Sequence, residues 1–291
     1  MIIICNKPGQ LGNRLIVFAS FIAFAREHNL KLLNPAFDEY TVYFDGSGPA
    51  VSMYPRASKS WFSLYKLRRI NYFFFYYLFA VIKRLRFFNG FIKTIAISEN
   101  EELDIETNKI LKESKGKIIL VKGWKFRANT LLVKNRNEII KYFIPSEKYF
   151  SRIESYAEKV IKSGTRIYVG IHIRRGDYKS FENGIYYYSD EQYLQQIKRV
   201  SQLLKARDLT FILCSNETLN LDYFRQNNLS VETGPGFELD DLYTLSKCDY
   251  IIGPPSTFTM WASFYGEKPL YMIKNPQTLF ELKDFEVINE F

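Results

Sequence analysis

The stretch YVGIHIRRGD, residues 168–177, decides the fold of the C-terminal half. Six residues from Tyr168 to Ile173 carry one polar side chain, His172, and the run then breaks at Arg174, Arg175, Gly176 and Asp177. A short apolar run closed by a charged turn is a strand buried on both faces, the habit of parallel sheets. Downstream, Ser189 with Gln192 three residues later forms a capping box and opens a helix. Strands follow at 209–214, 229–233, 250–253 and 269–273, with helices at 238–248, 257–265 and a short one before 229. Strands alternating with helices predict βαβ units around a parallel sheet.

Upstream, Pro145-Ser146 opens a helix whose Tyr149, Phe150, Ile153, Tyr156, Ala157, Val160 and Ile161 recur at three-and-four spacing until Gly164. This helix marks a division between an N-terminal domain, 1–150, and a C-terminal domain, 151–291. The N-terminal part starts in the same idiom: Ile2 to Cys5 read as a strand, Lys7 to Gly12 as a glycine turn, and Asn13 to Glu27 as a long apolar helix.

With 291 residues, 47% hydrophobic and 24% charged, the chain can bury a large core, which excludes disorder and small disulfide scaffolds. Cys5, Cys214 and Cys248 each sit in or beside an apolar run, as buried thiols of a reducing compartment do. Two histidines, His28 and His172, and no CxxC or HExxH spacing make a zinc site unexpected. The N-terminus lacks a signal-peptide pattern, and no apolar run reaches the ~20 residues of a spanning helix. A cytoplasmic protein is expected.

The charge is unevenly held. Lys and Arg number 40 against 31 Asp and Glu, yet nine of those cations and no acid lie between Gly46 and Ser98. Within it, residues 60–93 interleave aromatics with cations, and the longest apolar run, Asn71 to Ile82, is flanked by Lys66, Arg68, Arg69 and Lys83, Arg84, Arg86. Aromatic rings at a headgroup boundary with clustered cations form an interfacial pattern, so peripheral contact with an anionic membrane is expected, and a core helix with solvated ends is the alternative. Nucleic acid is not expected as a partner, because the run is too uniformly apolar for a stacking platform.

In a parallel sheet the ligand lies beyond the carboxyl ends of the strands. Here those ends carry Arg174-Arg175-Gly176-Asp177, then Ser215-Asn216-Glu217, then Ser256-Thr257 at a helix start. Paired guanidinium groups beside free helix N–H donors can clamp a diphosphate, while an ordinary surface ion pair between Arg174 and Asp177 is the competing reading.

The run Gly170 to Tyr178 resembles the HxRRxD signature of the GDP-fucose-dependent fucosyltransferases, most closely the bacterial α-1,2 branch. Gly9-Gln10-Leu11-Gly12-Asn13-Arg14 resembles that family's N-terminal turn. Asp241-Leu242-Tyr243 through Ser256-Thr257-Phe258 and Trp261 resembles its C-terminal block. The resemblance implies an α/β GT-B glycosyltransferase: two Rossmann-like domains facing across a cleft, the donor GDP-fucose on the C-terminal one, inversion at the anomeric carbon, and no cofactor or required metal. It implies that Arg174 holds the β-phosphate, that His172 and Asp241 contact guanosine, and that Ser256 and Thr257 bind phosphate oxygens, with Arg175 and Phe258 also at the donor site. Gly12, Asn13 and Arg14 would serve substrate binding from the N-terminal turn, with Arg14 where the family usually has glutamine. Asn216 would support an arginine. Glu182, at the base's spacing in the related α-1,6 branch, and Asp177 are the candidate carboxylates for the acceptor proton, with a solvated loop acid the plainer reading of Glu182. The expected acceptor is a glycan hydroxyl on a lipid-linked surface-polysaccharide oligosaccharide, at the cytoplasmic face of the membrane. The residues leave open another GDP-sugar, or a GDP-binding membrane adaptor without catalysis.

Overall fold

The computed structural model describes residues 1–44, 50–56, 67–85, 90–161, 164, 166–205 and 208–291. Two compact units divide them: Met1–Glu147 with Asn289–Phe291, and Lys148–Ile288. The boundary expected at 150/151 falls between Glu147 and Lys148.

The first unit runs β1 Ile2–Ile4, α1 Leu11–Glu27, β2 Leu32–Leu33, α2 Thr41–Phe44, β3 Met53–Tyr54, α3 Arg68–Leu85, β4 Ile92–Ala96, β5 Leu103–Asp104, α4 Lys109–Lys112, β6 Ile118–Lys122, β7 Phe126–Arg127, α5 Asn129–Lys134 and α6 Arg136–Tyr142. Its main sheet has the order β3-β2-β1-β6-β4, parallel except at β2 and β3, with a small parallel pair of β5 and β7 beside it. Every residue of α1 from Leu11 to Ala25 except Asn13 is buried, which explains why the helix is apolar on all faces.

The second unit runs α7 Glu147–Val160 (its first residue counted with the first unit), β8 Ile167–Ile173, α8 Asp190–Leu204, β9 Leu209–Ser215, α9 Leu221–Arg225, β10 Val231–Thr233, α10 Glu238–Leu245, β11 Tyr250–Gly253, α11 Thr257–Gly266 and β12 Leu270–Met272. The five strands form one all-parallel sheet in the order β10-β9-β8-β11-β12. Each expected strand and helix is present. The capping box is there too, with Ser189 Oγ accepting from the Gln192 N–H and the Gln192 side chain from the Ser189 N–H. The helix expected to reach 248 stops at Leu245, where the Lys247 and Cys248 N–H groups turn back to carbonyls of the last turn. A Cβ on Gly170 would lie 2.6 Å from Leu245 Cδ2, so the glycine in β8 is what lets α10 pack against the strand. Trp261 is fully buried, packed with Phe264 and Tyr265, and so belongs to the core.

Of the basic aromatic segment, 67–85 and 90–93 are described, and Trp61, Lys66 and Arg86 lie outside the described residues. The helix it forms is neither wholly buried nor wholly free. Phe75 and Phe79 of α3 pack with Ile3, Cys5, Leu33 and Leu120 of the sheet, while Ile70, Phe74 and Tyr77 are exposed.

Candidate functional site

In the second sheet the chain order reverses between β8 and β11: β9 and β10 lie to one side of β8, and β11 and β12 to the other. Such a switch point separates the loops that follow the two central strands and opens a crevice at their carboxyl ends. A pocket of about 400 Å³, counting its open mouth, is lined there by His172, Arg174, Cys214, Ser215, Asn216, Gly236, Glu238, Asp241 and Phe258.

His172 is the last residue but one of β8, buried like Ile173 after it, and is paired in register with Cys214. Its ring stacks on Phe258 at 4.7 Å and 27°. Burial, and then the nearby Arg174, push its pKa down to about 3, so the imidazole is neutral near pH 7. Its Nδ1 is buried and accepts no hydrogen bond from the described residues. Phe258 is carried at the start of α11, whose N-cap Ser256 accepts from the Phe258 N–H at 3.2 Å.

Asp241 stands in the first turn of α10 and is almost fully buried. Its Oδ1 accepts from the Gly236 N–H at 2.9 Å. Burial raises its pKa to about 6; the Gly236 bond opposes that rise and the neighbouring Asp240 adds to it. A Cβ on Gly234 would lie 2.6 Å from both Asp241 Oδ1 and Cys214 Sγ, so only glycine leaves this wall intact. Behind it, Arg152 of α7 pairs with the buried Asp240, and its guanidinium lies over the Phe237 ring at 4.8 Å.

Arg174 is the cation of the pocket. Its backbone N–H donates to Tyr193 Oη at 3.3 Å, its guanidinium to Asp177 Oδ2 at 2.9 Å, and it lies 5.4 Å from the Tyr178 ring. The Tyr178 hydroxyl in turn donates to the Pro255 carbonyl at 2.7 Å, joining the loops after β8 and β11. The loop after β9 holds the same segment from the other side: Asn216 Oδ1 accepts from the Arg175 N–H at 3.0 Å and Glu217 Oε1 from the Gly176 N–H at 3.1 Å.

The pocket therefore gathers His172, Arg174, Asn216, Asp241 and Phe258 of the expected residues, and adds Cys214, Ser215, Gly236 and Glu238. It does not gather the rest. Arg175 turns its guanidinium to Asp190 at the start of α8, so one arginine lines the pocket where a pair was expected. Asn216, expected to support an arginine, accepts from the backbone N–H of Arg175. Asp177 does form the ion pair with Arg174, which suits a brace. Glu182 is exposed, outside the lining, and sits with Asn183 in left-handed backbone at φ 47° and 57°. Ser256 and Thr257 are half-buried at the start of α11.

In the first unit, Gly12 is buried and Asn13 half-buried in the first turn of α1. Arg14 donates to Glu39 at 2.7 Å, to the Gly9 carbonyl at 3.3 Å and to the Ala36 carbonyl at 3.4 Å. It thereby pins the glycine turn to the segment after β2. Although burial opposes it, hydrogen bonds from Lys7 and Arg14 hold the Glu39 carboxyl below its ordinary pKa. Among the described residues no cluster of three or more His, Cys, Asp or Glu side chains is placed to hold a metal ion.

The family model described as glycosyl transferase family 11 matches residues 154–284, within the second unit. Three solved structures share the fold. A mutant of Arabidopsis thaliana FUT1 in complex with GDP is 14% identical with a TM-score of 0.61, over 94% of this chain and 70% of that one. The fucosyltransferase NodZ from Bradyrhizobium is 14% identical with a TM-score of 0.59, over 96% and 97%. POFUT1 in complex with GDP-fucose is 11% identical with a TM-score of 0.53, over 92% and 94%. No curated protein matches the chain in sequence. The expected fold class, α/β of the GT-B kind built on Rossmann-like units, stands on this likeness, and the resemblance drawn from the HxRRxD motif on the family match.

Proposed function

We propose that this chain, a glycosyltransferase whose second unit carries the family 11 match, transfers L-fucose from GDP-fucose to a glycan hydroxyl with inversion. The observation that carries the proposal is the pocket at the β8/β11 switch point, where a cation, a neutral imidazole and a buried carboxylate converge. The Asp241 carboxylate accepts from guanine N1–H and the exocyclic amine, a donor pair that uracil lacks. His172 and Phe258, already stacked on one another, border the nucleoside.

In the reaction the acceptor oxygen forms a bond to the fucose anomeric carbon as the bond to the β-phosphate oxygen breaks, and GDP departs with that electron pair. The Arg174 guanidinium stabilises the charge gathering on the diphosphate, a task for which a metal is not required. A carboxylate takes the acceptor proton. Glu182 is the proposed base, and Asp177 braces Arg174. Arg175, Ser256 and Thr257 shape the loops around the diphosphate, and Asn13 with Arg14 shapes the N-terminal turn.

The proposed acceptor is a lipid-linked oligosaccharide of a surface polysaccharide, met at the cytoplasmic face of a membrane with which the protein is peripherally associated. Support comes from the aromatic, cation-flanked helix α3. Calorimetric titration with GDP-fucose and GDP-mannose, with and without EDTA, tests the donor. Fucose preference unchanged by EDTA is expected. Equal affinity for both sugars would transfer the reading to another GDP-activated hexose.

A further inference from the structure

The helix α3, Arg68–Leu85, divides its side chains cleanly between two destinations. Asn71, Phe75 and Phe79, spaced by four, are buried, and the two phenylalanines pack on Ile3, Leu33 and Leu120 of the sheet. The helix is thus already docked on its own unit. Its other face keeps Ile70 62%, Phe73 41%, Phe74 57%, Tyr77 62%, Val81 49% and Leu85 51% exposed. These spacings of three and four form one stripe, about 22 Å long at 1.5 Å per residue. A contiguous exposed apolar stripe of that length is an interaction surface, whereas scattered exposed apolar residues are ordinary.

The charges around the stripe choose its occupant. Arg69 lies 5.9 Å from the Phe73 ring, and Lys83 and Arg84 are exposed in the last turn. Along the flank, Lys122 sits over the Tyr76 ring at 4.8 Å, while Lys7, 4.4 Å from the Tyr72 ring, is already paired with Asp38 and Glu39. No acid occurs between Gly46 and Ser98. A second copy docking here would bring its own Arg69, Lys83 and Arg84 against the same cations. An anionic surface that also accepts aromatic rings answers both features, and a bilayer rich in acidic lipid is such a surface. No described helix is long and apolar enough to cross a membrane, so the contact is one of lying in the headgroup layer.

We infer that the exposed face of α3, from Ile70 to Leu85, docks the protein on anionic lipid bilayers, with Phe73, Phe74 and Tyr77 entering the interface and Arg69, Lys83 and Arg84 meeting the headgroups. The inference rests on the membrane setting proposed above and names the surface that creates it. The buried contacts of Phe75 and Phe79 hold the helix flat on its sheet, so the stripe is presented without unfolding.

Co-sedimentation with phosphatidylcholine vesicles, with and without a quarter phosphatidylglycerol, tests this without any acceptor. Three full-length forms are compared: wild type, Phe73→Ser/Phe74→Ser/Tyr77→Ser, and Lys83→Gln/Arg84→Gln. GDP-fucose affinity in solution, measured on each, reads the folded donor site separately. The wild type is expected to partition onto the acidic vesicles. The triple variant should lose at least roughly tenfold of that partitioning, and the charge variant should lose most of the preference for acidic over neutral vesicles. Should the triple variant fail to fold, Tyr77→Ser alone and the charge variant carry the test. Wild-type protein left in the supernatant, or variants that partition as well as wild type, would overturn the inference. So would sedimentation-velocity evidence of a dimer that Tyr77→Ser abolishes while vesicle binding stays unchanged. None of these outcomes touches the donor assignment, which the affinity reads.

Discussion

The ring of His172 stacks on that of Phe258 at 4.7 Å and 27°, and this contact joins the end of β8 to the start of α11 across the switch point of the second sheet. The imidazole is buried and neutral, its pKa pushed down to about 3 by burial and by Arg174. A histidine held neutral in the fold makes that fold sensitive to acid: between about pH 3 and its unfolded value near 6.5 the unfolded chain binds the extra proton. Stability should therefore fall as pH drops through 6.5, and His172→Gln should lessen that fall. Urea melts at pH 7 and pH 5 check it. An unchanged pH dependence in the variant would remove His172 as the source.

Asp241 has the opposite sign. Burial raises its pKa to about 6, so the folded state binds the extra proton between its ordinary value near 3.8 and 6, and ionising it costs stability as pH rises through that window. In the proposed donor complex only the ionised carboxylate would accept both guanine donors. GDP-fucose affinity should thus weaken as pH falls through about 6, and Asp241→Asn should weaken it at pH 7 while flattening the profile. The diphosphate of GDP-fucose has no proton to gain in that range, so the profile reports the protein.

Gly234→Ala should damage the same wall without touching a charge. Its Cβ would meet Asp241 Oδ1 and Cys214 Sγ at 2.6 Å. We expect a loss of about 1–3 kcal/mol in stability from overpacking, with donor affinity reduced at least tenfold. Thermal melts and titration of GDP-fucose measure both, and wild-type affinity in a folded Gly234→Ala protein would show that Asp241 need not stand where it does.

Tyr178→Phe removes the 2.7 Å hydrogen bond to the Pro255 carbonyl that joins two of the loops around the pocket. The expected cost is about 1 kcal/mol in stability, with a larger effect on turnover than on donor affinity, because the loop that carries Arg174 loses its tie to the α11 start. Parallel measurement of kcat and KM separates the two effects.

Much of this site could be read before the structure because parallel sheets place their chemistry just beyond apolar runs. His172 lies near the end of a strand that the hydrophobic pattern locates, Arg174 and Asn216 follow such strands, and Asp241 and Phe258 stand in the first turns of helices marked by their flanking residues. Cys214, Gly236 and Glu238 were missed for physical reasons. Cys214 closes an apolar run and resembles core, Gly236 contributes a backbone N–H to Asp241, and Glu238 is one acid among several at a helix start. The diversion of Arg175 to Asp190 was equally hidden, since adjacent residues after a strand point to opposite sides and sequence does not say which side holds the pocket. The burial of Phe75 and Phe79 shows the limit for α3: Ile70, Phe74 and Tyr77 on its exposed side are as large and apolar as the packed pair, so residue type does not tell which side meets the sheet.

The central claim is that Arg174 drives departure of GDP from GDP-fucose, and release of GDP tests it most directly. Wild type and Arg174→Ala are assayed side by side, with EDTA present and a pooled lipid-linked oligosaccharide acceptor. The account predicts GDP release by the wild type and a loss of about 10²–10³-fold in the variant, with Arg174→Lys recovering only part of it. Release by Arg174→Ala within a few-fold of wild type would contradict the account.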